Sequence, residues 1–281
     1  MCNIKIYAFS DEASPVLQEQ IAALKRNNLN GMEIRSVDNE NIADISIEKA
    51  KEIKKQLDDA GLEVWSLGSP YGKIQIDGDF DEHIEKLKKS FQVAQVLGTK
   101  NIRMFSFYMP KNKDYKDYKN QVIDKLGKMT ELAKENGIYL CHENEKGIYG
   151  DVAERCLELF KAVPDLKGVF DPANFVQCGQ DTKEAWNLLK DYIFYMHIKD
   201  ATREGDIVPS GAGAGNIAYV AKEFIKKGGN CFTMEPHLTV FSGLADLEQE
   251  GETSKVGQRF VYADANEAFD AACVAFKEQL K

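Results

Sequence analysis

Cysteine is sparse and scattered. Six of the 281 residues are Cys (Cys2, Cys141, Cys156, Cys178, Cys231 and Cys273), and no two stand close enough for a CxxC pair. Cys141 and Cys231 fall inside apolar runs. This argues against a disulfide framework and fits a reducing compartment. No apolar run approaches the ~18 residues of a membrane span, and the opening MCNIKIYAFS lacks a charged-then-apolar signal region. The expectation is a soluble, cytoplasmic protein with no membrane partner. Positive charge is in deficit, with 36 basic against 45 acidic residues and a net charge of −9. Nucleic-acid binders usually carry a basic stripe, and none is marked here. Lysines instead sit beside Glu and Asp, as in IEKAKEIKKQLDDAG, the pattern of a solvated helix face. No nucleic-acid partner is expected.

Linker-like stretches rich in Pro, Gly or Ser are also missing, so residues 1–281 read as one unit. What is present is an alternation. Short runs such as IKIYAF, GMEIRSV, EVWSLG, NIRMFSF, IYLCHE, LKGVFD, IFYMHIK and CFTME are β-branched or aromatic. Each is followed by a longer segment with apolar residues at three- and four-residue spacing, as in DVAERCLELFKAV. Gly61, Gly98, Gly137 and Gly228 follow helical segments as C-terminal glycines would, and Pro15 suits a first helical turn. Eight βα units imply a parallel sheet closed into an α/β (β/α)8 TIM barrel. An open doubly wound sheet is the alternative, but it would normally carry a Gly-rich turn after its first strand, where this chain has FSDEAS. One region breaks the rhythm, a long loop after the eighth strand at residues 238–262. It reads either as a surface excursion or as a lid or dimer contact, the latter compatible with a homo-oligomer.

In a barrel the strand C-termini form the active face. The last four strands end in CHENE, FDPAN, HIKD and MEPH. Inward residues alternate along a strand, so Glu143 pairs with Glu145 and leaves His142 outside, His197 shares a face with Lys199, and Glu235 shares one with His237. One inward group per strand gives Glu143, Asp171, His197 and Glu235. Three carboxylates at close quarters repel, and a divalent cation relieves this. Oxygen donors with one imidazole suit Mn, Mg, Co or Fe(II). Taken singly, each group has a plainer role: His197 as a core histidine, Asp171 before Pro172 and Glu235 before Pro236 as turn residues. Coincidence at four successive strand ends favours one divalent metal ion, with Mn, Mg or Co foremost.

These strand-end motifs resemble those of the sugar phosphate isomerase/epimerase group with the xylose-isomerase-like barrel, over the whole chain in outline and most sharply in its second half. The resemblance implies that Glu143, Asp171, His197 and Glu235 bind one metal. In the ketose 3-epimerase branch the two metal-bound glutamates also remove and return the proton on carbon-3, which would make Glu143 and Glu235 catalytic. The resemblance further implies that Arg203, six residues after the histidine, grips the substrate. Two positions depart from that branch: Asn174 stands where a His is usual, and Tyr149 where a Glu is usual.

The chemistry expected is proton abstraction next to a carbonyl through an enediolate, stabilised by the metal, with a carboxylate on each side of a small sugar. Lys199 or His237 would assist at the developing oxyanion, or Lys199 would merely pair with a neighbouring acid. Asn174 and Trp65 are further substrate-side candidates, with Tyr71 and Phe105 completing an apolar wall; core packing explains Trp65 equally well. The segment SGAGAGN, Ser210–Asn216, follows the seventh strand, where barrels often hold phosphate. It lacks the Gly-Lys-Ser/Thr ending of a P-loop, so it either shapes a loop or meets phosphate. The alternative activity is a metal-dependent lyase or dehydratase on a keto sugar or 3-keto glycoside. A non-catalytic sugar-binding barrel would be expected to have lost a ligand, and an abasic-site endonuclease would need many more than four histidines.

Overall fold

The computed structural model of the protein describes residues 3–241, 244, 255–257 and 259–281. Eight short strands form one closed barrel: β1 (Lys5–Ala8), β2 (Gly31–Ile34), β3 (Glu63–Gly68), β4 (Asn101–Met104), β5 (Tyr139–Glu143), β6 (Lys167–Phe170), β7 (Ile193–Ile198) and β8 (Cys231–Met234). They run in the spatial order β1-β8-β7-β6-β5-β4-β3-β2, and all neighbours pair in parallel. The ladders of β8 pair Ala8 with Met234 on one side and His197 with Thr233 on the other, which fixes the height of the strand ends that follow. Between β2 and β3 the register shifts at Met32/Glu33, and between β6 and β7 at Gly168/Val169.

Helices return the chain between strands: α1 (Leu17–Arg26), α2 (Ile47–Ala60), α3 (Phe80–Leu97), α4 (Lys119–Glu135), α5 (Ala153–Ala162), α6 (Pro172–Gln177), α7 (Thr182–Leu189), α8 (Ile217–Lys226) and α9 (Ala265–Gln279). Their apolar faces cover the barrel; Leu87, Phe91, Leu126, Phe160, Trp186 and Phe276 are all buried in this shell. The side chains of Ser46, Asp79 and Asp264 cap α2, α3 and α9 by accepting a backbone N–H from their first turns. The glycines expected to end helices do so with positive φ: 72° at Gly61, 77° at Gly98, 70° at Gly137 and 91° at Gly228. Pro15 is a correction, because α1 begins only at Leu17. The first-turn proline belongs instead to α6, as Pro172. The short α6 is an element that periodicity missed, having too few turns for an apolar stripe to show.

Two side-chain layers fill the barrel differently. At the N-terminal end Tyr7, Cys141, Val169, Tyr195 and Cys231 make an apolar floor. Trp65 packs there, its ring 5.4 Å from Tyr7 and 5.7 Å from Tyr195. The C-terminal half of the interior is charged. After β8 the long connection leads to α9, and residues 242–243, 245–254 and 258 of it lie outside the described residues. Its C-terminal part is tied to a small ribbon, Asp200–Ala201 with Ile207–Val208: the Ile207 N–H donates to the Lys255 carbonyl at 3.1 Å, and Arg259 pairs with Asp206 at 2.9 Å. Among the described residues no helix is long and apolar enough to cross a membrane.

Candidate metal centre

Four donor groups converge above the floor. Glu143 ends β5, Asp171 follows β6, His197 lies in β7 and Glu235 follows β8; each offers one ligand atom, all within 4.8 Å of one another. All four are buried. Such a set is brought together by register, since four consecutive strands end at one height and each turns one side chain inward.

Each donor is held from behind. Asp171 is the N-cap of α6: its Oδ1 accepts the Asn174 N–H at 2.9 Å, leaving Oδ2 for the cluster. The plain turn role and the cluster role are thus taken by different oxygens of one carboxylate. Asn144 ties the same segment by exchanging two hydrogen bonds with the Asp171 backbone, both 2.9 Å. Asn174 donates to Glu143 Oε1 at 3.3 Å and to the Asn144 carbonyl at 2.8 Å, so it stands beside the cluster. Arg103 Nε lies 3.2 Å from Glu143 Oε2. His197 places Nε2 3.1 Å from Glu33 Oε2, and Nδ1 3.1 Å from Glu143 Oε1 and 3.2 Å from Glu235 Oε2. Nδ1 makes no hydrogen bond, although it is buried.

The electrostatics follow from charge at close range without water. Burial pushes Asp171 up to about 8, with Glu235 and Glu143 adding to the rise and Lys199 opposing it. Burial would lower His197, yet Glu143 and Glu33 outweigh it and raise the imidazole well above its usual value. Burial would likewise raise Glu33 and Glu235, but His197 holds Glu33 below the ordinary carboxylate range, and Lys199 with His197 does so for Glu235. The cluster therefore calls for positive charge at its centre. An unpartnered buried imidazole nitrogen facing three carboxylates is a donor set that fits a divalent cation.

Lys199 is inward and sits 2.9 Å from Asp171 Oδ2 and 3.1 Å from Glu235 Oε2, so it pairs with neighbouring acids. His237 adopts a left-handed backbone with φ 47°, and its Nε2 lies 3.4 Å from Glu12 and 3.5 Å from Glu235. Three candidates, Trp65, Tyr71 and Arg203, fall elsewhere. Trp65 belongs to the floor, because it is the third residue of β3 and the active face begins only past Gly68. Tyr71 is turned into α3, its hydroxyl donating to the Lys86 carbonyl at 2.8 Å. Phe105 does stay near the cluster, 4.6 Å beneath the Arg103 guanidinium. Arg203 is exposed on the rim and lines a separate cavity of about 290 Å³ with Gln180 and Asp181.

Several site residues were not anticipated. Asp11 and Glu12 follow β1, and Arg35 follows β2; Arg35 lies 2.8 Å from Asp11, 3.3 Å from Glu12 and 3.4 Å from Glu235. Phe9 and Phe241 sandwich that guanidinium at 4.6 and 4.8 Å. Glu33 and Arg103 complete the set. The signal was in the strings MEIRSV and NIRMFSF, where a charge inside an apolar strand of a closed barrel has only the interior to face.

A family model described as Xylose isomerase-like TIM barrel matches residues 21–255. The chain belongs to that family. No curated protein matches it in sequence. Among solved structures, this family member is similar to an L-ribulose 3-epimerase, with 19% identity, TM-score 0.75 and coverage of 100% of this chain and 95% of the other. It is also similar to the probable 3-DHS dehydratase AsbF from Bacillus anthracis, with 16% identity, TM-score 0.74 and 98% of both chains covered. A third is the IOLI protein with a bound zinc atom, with 16% identity, TM-score 0.74 and coverage of 99% and 98%. At these identities the likeness is one of fold.

Proposed function

We propose that the protein is a divalent-metal-dependent sugar isomerase or epimerase that moves a proton on the carbon next to a carbonyl. The observation that carries this is the orphaned Nδ1 of His197 aimed at Glu143 and Glu235, with Asp171 completing a four-donor set. The fold-level likeness to an epimerase and to a zinc-bearing barrel supports the same class. Glu143, Asp171, His197 and Glu235 would hold one Mn, Mg or Co ion. That ion would supply Lewis-acid stabilisation of negative charge beside the carbonyl.

The chain's own groups supply the rest. Glu143 and Glu235 stand on strands separated by β6 and β7, so they flank whatever lies over the cluster. One takes the proton from carbon and the other returns it. Arg103 and Asn174 orient Glu143, while Arg35 and Lys199 orient Glu235. His237, whose Nε2 lies 3.5 Å from Glu235, would meet substrate oxygens on that side, while Lys199 stays paired with Asp171 and Glu235. Phe9 and Phe105, both buried, line this region with apolar surface that helps exclude water.

The test is metal-stripped protein, reloaded with Mn, Mg or Co and incubated with ketoses and 3-keto glycosides in heavy water. Deuterium appearing beside the carbonyl with inversion or carbonyl migration is the expected result. Full activity without metal would sink the proposal. Release of water or an aglycone would instead assign the lyase chemistry.

A further inference from the structure

The glycine-rich segment after β7 is an anion-binding loop that has already been filled. Asp200 Oδ2 accepts the N–H groups of Gly211 and Gly213 at 2.9 and 3.1 Å, and Oδ1 accepts those of Gly215 and Ala201 at 2.8 and 2.9 Å. Converging backbone amides of this kind make an anion cradle. Here the anion is the chain's own carboxylate, itself buried. The fit is close: a Cβ on Gly213 would come within 2.3 Å of Oδ1, and one on Gly215 within 2.6 Å. A phosphate group has no place in this loop unless Asp200 leaves it.

The basic side chains tell the same story. Among the described residues the buried arginines and lysines are Arg35, Arg103 and Lys199. Arg35 is committed to Asp11, Glu12 and Glu235, Arg103 to Glu143 and the Ser69 carbonyl, and Lys199 to Asp171 and Glu235. The more accessible Lys73 is 3.2 Å from Glu145. The exposed Arg203 faces a cavity whose other charged lining group is Asp181. Carboxylates outnumber these cations around the cluster, and a divalent ion would bring the region only near neutrality.

The lining is thus rich in acceptors. A hydroxyl group can donate to a carboxylate such as Glu12, Glu145 or Glu235, whereas an ionised phosphate or carboxylate brings only more acceptors and more negative charge. We infer that the substrate is an uncharged polyhydroxy ketone, held through hydroxyls that donate to this carboxylate-rich lining, and that phosphate esters and sugar acids are refused. This rests on the metal-dependent keto-sugar reading above.

Matched pairs test it. Manganese-loaded protein in heavy water is given D-fructose and its 6-phosphate, D-tagatose and its 6-phosphate, and methyl 3-keto-glucoside and the matching 3-keto-glucuronide. Proton exchange beside the carbonyl is followed by NMR. In at least one pair the neutral member should exchange with kcat/KM at least ~100-fold above its charged partner, since an ionised group desolvated where every nearby cation is already paired costs that much or more. Equal or faster exchange of the charged members overturns the inference and leaves metal-dependent proton abstraction standing. No exchange from any member, with manganese, magnesium or cobalt bound, overturns the proposed function and this inference with it.

Discussion

Glu33 Oε2 lies 3.1 Å from Nε2 of His197, and both side chains are wholly buried at the centre of the barrel. The Tyr195 hydroxyl donates to the other Glu33 oxygen at 2.7 Å. The carboxylate therefore fixes the imidazole's orientation and favours a proton on Nε2, so that a bound cation would displace the proton from Nδ1 and take its lone pair. Supporting carboxylates of this kind typically contribute about 10–100-fold in metal affinity. Glu33→Gln should weaken Mn or Co binding by about that factor in calorimetric titration, with cooperative unfolding retained. Unchanged affinity would show that His197 does not depend on Glu33 for its role.

Glu143 and Glu235 carry the proton chemistry proposed here. Glu143→Gln and Glu235→Gln keep the shape and remove the base, so each should lower kcat by about 10²–10⁴-fold. Far-ultraviolet circular dichroism should remain that of the parent. A variant that folds and retains full turnover would remove that residue from the mechanism.

Trp65 is a floor residue, and its removal should separate stability from catalysis. Trp65→Ala is expected to cost about 2–3 kcal/mol, below the 3–5 typical of a fully buried aromatic because this one is only partly covered. Metal affinity and KM should stay within about twofold, a margin set by small errors in ΔG. A large rise in KM alone would put Trp65 back at the substrate.

Asp200 should matter to the fold far more than an exposed acid would. Asp200→Ala strands three glycine amides and is expected to destabilise the protein by about 2–4 kcal/mol, measured by urea unfolding. Limited proteolysis should then cut first within residues 210–216. A variant as stable as the parent would mean that the loop holds its shape without this anchor.

Acid should weaken the fold through histidines outside the metal cluster. His83 Nε2 accepts the Gly72 N–H at 2.9 Å, and burial, reinforced by Lys86 and Lys125, pushes the ring down to about 4. The folded state thus holds His83 neutral while the unfolded chain protonates it near 6.5. Its stabilising contribution is complete above pH 6.5 and is lost as pH falls toward 4, about 3 kcal/mol in all. His142, driven to about 3 by burial, acts in the same direction. His83→Gln should therefore flatten part of the stability decline between pH 7 and 4.5. An unaltered acid slope would contradict this.

The barrel, its eight units and the four cluster residues were all legible in the one-dimensional pattern of the chain. Apolar periodicity switches between strand and helix in every unit, and a chemically expensive group at each of four successive strand ends is hard to place anywhere but the mouth of a closed barrel. The company those residues keep came from the folding of distant segments onto one another. Glu33 meets His197 across 164 positions of sequence, and Arg35 meets Glu235 across 200. No local pattern encodes such distances, because they depend on register and on which strand closes against which. The same limit explains Trp65, whose aromatic character was legible but whose height in the barrel was not. It explains Ser210–Asn216 as well: its glycines left loop shaping and phosphate contact both open, and only the fold showed that what they approach is the carboxylate of Asp200.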